Sequence, residues 1–220
     1  MLNKYLLVSF ILLAVFVILS FIVSPKLNSA NNNPITREDA AAFQAINGSH
    51  YPALNQLMIL LTNYGREVIW TVGGILIFIF GGHIGRKAVI VMALAMLTLI
   101  PLSMIAKDVV GRVRPTVLQD NFLIEPDKEN AFPSGHTVIV SAGSAVLLIL
   151  FRDSYKKLII SIGMTIEAGL VSFSRIYVGG HYPLDVAGGV LLGVGIALIF
   201  VAENHYVDRL LQPIVKAVKR

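Results

Sequence analysis

Six apolar stretches, each long enough or nearly so to cross a hydrocarbon layer of about 30 Å, mean that this chain folds in lipid. They run from Tyr5 to Val23, Val68 to Ile84, Ala88 to Ala106, Ser134 to Phe151, Leu158 to Phe173 and Leu184 to Val201. Backbone N–H and C=O groups in lipid have no water to turn to, so each stretch reads as a helix. Only 14% of the 220 residues are charged, where soluble domains carry nearer a quarter. The expected fold is therefore all-α: one integral membrane six-helix bundle, with residues 1–220 forming a single domain. No repeat, linker or low-complexity segment divides it. The first stretch exceeds the h-region of a secretory signal, and Asn28-Ser29-Ala30 is a poor cleavage site, so an uncleaved span is expected.

Loop charge sets the expected orientation. Lys4, Arg86, Lys87, Arg152, Lys156, Lys157, Arg209, Lys216, Lys219 and Arg220 fall on one side of such a bundle, which predicts cytoplasmic termini. This placement accounts for the net charge of +5 without a nucleic-acid partner, for which an aromatic-interleaved basic stripe is lacking. Between the first two spans, Thr36 reads as the N-cap of a short amphipathic helix on the outer membrane surface. Ala53 to Leu61 reads as a second half-buried helix. The chain has no cysteine, which excludes disulfides, thiolate metal sites and cysteine nucleophiles.

Three polar clusters interrupt the apolar pattern: Lys107 with Arg114-Pro115, then Pro133-Ser134-Gly135-His136, then Ser174-Arg175 with His181 and Asp185. Lys107 follows span three, His136 opens span four, Arg175 ends span five and Asp185 opens span six. By parity all lie on the same face of the membrane, whichever way the chain is oriented. Seven residues on a helix make almost two turns, so Lys107 and Arg114 share a face about 10 Å apart along the axis. The helix is expected to end at Arg114, because Pro115 disfavours helical geometry there. Ser134 reads as an N-cap whose helix presents N–H groups to an anion, and Gly135 permits close approach. His181 and Asp185, four apart, would share a face, the carboxylate fixing the imidazole tautomer. Taken singly, these clusters also fit snorkelling cations and an ordinary helix start.

Together, the three motifs resemble those of the type-2 phosphatidic acid phosphatase superfamily, matched without substitution between Lys107 and Asp185. That superfamily includes lipid phosphate phosphatases, undecaprenyl-diphosphate phosphatases, glucose-6-phosphatase and vanadium haloperoxidases. The resemblance implies a membrane lipid phosphatase working through a phosphohistidine. His181 would be the nucleophile, Asp185 its orienting partner and His136 the general acid and then base. Lys107, Arg114, Ser134, Gly135 and Arg175 would hold the phosphoryl oxygens. No metal or other cofactor is expected, since three cations supply the charge neutralisation; Asp120, Glu125, Asp127 and Glu129 lack ligand-like spacing. The expected substrates are a polyprenyl diphosphate first, then phosphatidic acid or phosphatidylglycerol phosphate, met at the extracytoplasmic face. A phosphotransferase using the same intermediate and a lipid transporter are the rivals.

Other polar residues read as structural. Arg112 is four after Asp108 and is expected to pair with it. Glu167, within span five, reads as a hydrogen-bonded acid facing the bundle. Gly189 and Gly193, with Ser141 and Ala145, read as close helix packing. Tyr177 and Tyr182 read as interface aromatics, and His50, His83 and His205 as interface residues outside the motifs.

Overall fold

A computed structural model describes residues 3–26, 33–116, 123–124 and 128–209. Asn28–Ala30, Asp120, Glu125, Asp127, most of the 116–132 loop and the basic tail from Lys216 lie outside the described residues. Among the described residues the regular structure is helical: α1 (Lys4–Val23), α2 (Pro34–Asn47), α3 (Pro52–Leu60), a π-helical segment (Leu61–Ile69), α4 (Trp70–Phe80), α5 (Gly82–Val110), α6 (Gly135–Leu150), α7 (Tyr155–Tyr177) and α8 (Pro183–Ala202). Helices α1, α5, α7 and α8 are long and apolar enough to cross a membrane, and α6 is a shorter apolar helix.

Helix α6 is the axis of the bundle, flanked by α5, α7 and α8. Small residues make that possible. A Cβ on Gly193 of α8 would lie 2.3 Å from the Val138 carbonyl oxygen, and one on Gly189 would lie 2.9 Å from that of Ser134. The backbones of α6 and α8 therefore touch, the packing expected of the small-residue pattern. Hydroxyls stitch the remaining seams, as expected where lipid supplies no hydrogen bonds. Ser144 donates to Thr165 at 2.8 Å, Ser161 donates to the Phe151 carbonyl at 2.7 Å, and Ser9 of α1 donates to the Gly195 carbonyl at 2.7 Å. Glu167 accepts from the Trp70 indole N–H at 2.7 Å, as its position in the bundle suggested.

Several local expectations change. The cap of α2 is Asn33, whose side chain accepts from Ile35 N–H at 2.9 Å ahead of Pro34; Thr36 already lies inside the helix and donates to the Asn33 carbonyl. Proline at the first helical position fits the turn without losing a needed N–H. The second span begins earlier than its apolar run, because α3, the π segment and α4 follow one another without a break from Pro52 to Phe80. Helix α5 ends at Val110, short of Arg114, because Gly111 adopts the left-handed conformation (φ 65°) and donates to the Lys107 carbonyl at 2.9 Å. That is the glycine C-cap geometry, available without Cβ strain. Tyr177 is buried; its hydroxyl donates to Asn55 at 2.8 Å and receives the Tyr51 N–H. It pins α3 to α7. His50 joins that seam through the Tyr177 carbonyl at 2.9 Å.

Candidate active site

The three motifs meet at one end of the bundle. Lys107 stands in the last turn of α5, and Arg114 in the irregular chain four residues beyond Val110. Gly135 and His136 open α6, and His181 precedes α8. With Arg66 of the π segment and Lys128 and Glu129 of the loop, these residues line a cavity of about 340 Å³. Arg175 is buried at the end of α7 and lines an adjoining cavity of about 360 Å³ that also reaches His136. Arg175 belongs to a tight turn: its carbonyl accepts the N–H groups of Gly180 and His181, at 3.0 and 3.1 Å. Ser134 is the N-cap of α6 by position, but its side chain makes no capping bond. It is fully buried, accepts from Thr137 at 3.2 Å, and ties α6 to α8 through its N–H to the Asp185 carbonyl at 3.0 Å.

One nitrogen of Arg114 donates to the Gly180 carbonyl at 2.7 Å and faces His181 Nε2 at 3.2 Å. A guanidinium offers only N–H donors, so the contact is favourable only with the lone pair on Nε2. The proton then belongs on Nδ1, which faces Asp185 Oδ2 at 3.5 Å. Asp185 does more than face the imidazole. Its Oδ2 accepts the Tyr182 N–H at 2.8 Å, holding the backbone at the start of α8. Its Oδ1 accepts from Arg112 at 2.7 Å.

Arg112 corrects the reading that paired it with Asp108. The left-handed turn at Gly111 takes it off the helix, so the four-residue helical spacing no longer applies. Its other arm reaches Asp39 of α2 at 2.5 Å, and its guanidinium lies 4.2 Å from the Tyr182 ring centre. Tyr182 is thus a platform for Arg112, not a free interface aromatic. Asp39 also accepts the Leu184 N–H at 2.9 Å. Burial raises the Asp39 carboxyl above its ordinary value, with Arg112 pulling the other way. Burial also works against charge on Arg112, but Asp185 and Asp39 outweigh it and hold the guanidinium above its usual value. The chain Asp39–Arg112–Asp185–His181 therefore runs from the outer helix into the site.

On the cavity side, Lys107 pairs closely with Glu129, and Arg114 Nε donates to the Glu129 carbonyl at 2.7 Å. An exposed carboxylate thus stands against a cation that an anionic ligand would use. Sequence motifs left Arg66, Arg112, Asp39, Lys128 and Glu129 without a part here. Arg66 was detectable by the same parity that unites the motifs, since it precedes the second apolar run and so falls on the motif side. Asp39 gave no such signal, being one of three consecutive charged residues in an amphipathic pattern.

A multi-pass helical bundle with a cation-lined pocket and two imidazoles at one end fits a membrane phosphatase class. The PAP2 superfamily model matches residues 85–208, and the chain belongs to that superfamily. An undecaprenyl-diphosphatase of Sulfolobus acidocaldarius is 37% identical over 193 residues, covering 87% of this chain and 88% of that protein. Undecaprenyl-diphosphatase BcrC of Bacillus subtilis is 31% identical over 181 residues, 81% of this chain and 88% of its own. In fold, the chain is similar to the crystal structure of a PAP2-type phosphatidylglycerolphosphate phosphatase from Bacillus subtilis. That match has a TM-score of 0.70 at 25% identity and covers 91% of this chain and 96% of the other. The chain is a multi-pass membrane phosphatase.

Proposed function

We propose that this protein removes the terminal phosphate from a polyprenyl diphosphate through a phosphohistidine, without a metal ion. Supporting the reaction type is the Arg114 contact, which requires a bare lone pair on His181 Nε2 at the wall of a cationic cavity. Supporting the substrate class are the undecaprenyl-diphosphatase relatives, similar over most of both chains.

In this reading, Lys107, Arg114 and Arg175 hold the terminal phosphoryl oxygens and neutralise the charge that builds in the transition state. The first-turn N–H groups of α6, at Gly135, add to that grip. Nε2 of His181 attacks the terminal phosphorus and the bond to the bridging oxygen breaks. The leaving lipid monophosphate takes a proton from His136. Water then attacks the phosphohistidine, gives a proton to His136 and releases inorganic phosphate, restoring both rings. Asp185 holds the Nδ1 side of His181. Lipid is the natural habitat of such a substrate, whose tail stays in the bilayer while its head enters the pocket.

Six spans are proposed, the continuous run from Pro52 to Phe80 and α6 completing the four long helices. Positive loop charge then puts the termini in the cytoplasm and the pocket at the extracytoplasmic face. The test is phosphate release by purified protein from a panel of lipid diphosphates and monophosphates, with EDTA present. Undecaprenyl diphosphate is expected to be hydrolysed best, at a rate EDTA leaves unchanged. No release from any lipid, or loss of activity on chelation, would refute the respective part.

A further inference from the structure

Three features lie outside the motif residues: the Asp39–Arg112 brace, the Glu129 carboxylate over Lys107, and Arg66. The last reaches furthest, because it lines two cavities. Arg66 lines the phosphate cavity with His136 and His181, and also a second cavity of about 510 Å³. That second cavity is almost wholly apolar, lined by residues such as Trp70, Met92, Met96 and Ile139 between α4, α5 and α6. Arg66 is thus shared between the cavity that holds both imidazoles and the apolar one.

A lipid diphosphate carries its retained phosphate between the terminal phosphate and the hydrocarbon, so a cation shared by a cationic cavity and an apolar one suits that phosphate. The proton donor to the bridging oxygen is His136, which lines the same cavity as Arg66. Arg66 sits in a π-helical segment, a geometry that recurs at functional sites. Its Nη2 pairs with Glu67, and a guanidinium has five N–H donors in a planar fork, so donors remain for an anion in the cavity. Thr62, one turn earlier, is buried and bonded to Ser174, which fixes this stretch of backbone against α7.

We propose that Arg66 binds the phosphate that stays on the lipid, making the site selective for diphosphates over monophosphates, with the adjoining apolar cavity taking the first part of the tail. This rests on the reaction assigned above. A monophosphate lipid attacked at the same place leaves an ordinary ester oxygen near Arg66, with no second anion to hold. Removing the guanidinium therefore costs the diphosphate reaction one charge-assisted contact and spares the monophosphate reaction.

The test compares kcat/KM for undecaprenyl diphosphate and for phosphatidic acid in mixed micelles, for wild type, Arg66→Gln and the more apolar Arg66→Met. Losing a charge-assisted contact predicts a fall of about 10- to 100-fold on the diphosphate, with phosphatidic acid changed less than about threefold. Inhibition by the product undecaprenyl monophosphate should weaken in parallel. An unchanged diphosphate-to-monophosphate ratio in both variants would overturn the assignment and place the retained phosphate in the other cavity beside His136, against Thr62 and Asn63. Equal loss on both lipids, with correct insertion, would overturn it too, marking Arg66 as a general site cation. A wild-type protein inactive on every lipid would refute the reaction itself, a distinct failure visible before any variant is made.

Discussion

Arg112 carries two buried carboxylates at once, and replacing it with methionine isolates the electrostatic part of that brace. Asp39 is 5% exposed and Asp185 is fully buried, so neither can exchange its partner for water. Breaking a buried pair costs about 3–5 kcal/mol, because a charge is left uncompensated. The escape route is protonation, and it sets a ceiling. An Asp with the ordinary value of 3.8 pays about 1.4 kcal/mol for each pH unit above it to take up a proton, or about 4 kcal/mol per carboxyl at pH 7. At pH 5 the same step costs about 1.6 kcal/mol. In the variant, a carboxyl that stays protonated when folded has its value raised above the unfolded one. Such a group supports folding below the unfolded value, and that support is lost as pH climbs toward the folded value. The stability deficit of Arg112→Met should therefore be about 4 kcal/mol at pH 7 and smaller by about 3 kcal/mol at pH 5. The assay is equilibrium unfolding by denaturing detergent in mixed micelles at both pH values, beside wild type. Arg112→Lys should recover only part, since an ammonium lacks the fork that spans two carboxylates. A deficit independent of pH, or below about 1 kcal/mol at pH 7, would mean that the two carboxylates do not depend on Arg112.

Four further outcomes follow from the site. His181→Ala and His136→Ala should each reduce phosphate release to background while the protein still inserts; near wild-type rates in either would remove that ring from the chemistry. Glu129→Gln should lower KM about two- to fivefold by freeing Lys107, as expected for a partly exposed ion pair; a raised KM would show that the carboxylate helps binding. Gly193→Leu should prevent folding or lower the unfolding midpoint sharply, because its Cβ would lie 2.3 Å from the Val138 carbonyl oxygen, and an unchanged midpoint would show that α6 and α8 do not touch there. Asp39→Asn should flatten the acid dependence of stability: burial holds its carboxyl above 3.8, so wild type loses the contribution of this group as pH rises through that raised value, whereas the amide has none to lose. Identical slopes for the two proteins as pH rises above 3.8 would contradict it.

What was legible beforehand depended on how far along the chain each signal reaches. The apolar runs located α1, α6 and α8 to within a residue at each end, and α7 to within four, because hydrocarbon thickness and helical rise leave little freedom. The helix that carries the second apolar run was misjudged at its start. It continues backward through the polar residues Thr62, Asn63 and Arg66, which hydropathy assigns to a loop but the π segment keeps helical. Gly111 ended α5 sooner than Pro115 suggested, since a left-handed glycine stops a helix wherever its N–H finds a carbonyl. Arg112 was misread for the same reason.

The order of motifs and spans along the chain was enough to establish a membrane-embedded helical phosphatase with its motifs on one side, because parity and periodicity are properties of sequence. Which charges complete the pocket was decided only in three dimensions. Arg66 lines one cavity with His136, 70 residues on, and Asp39 reaches Arg112 across 73. Such pairings leave no periodic trace, since they arise from helices packing side by side and not from spacing within any one of them.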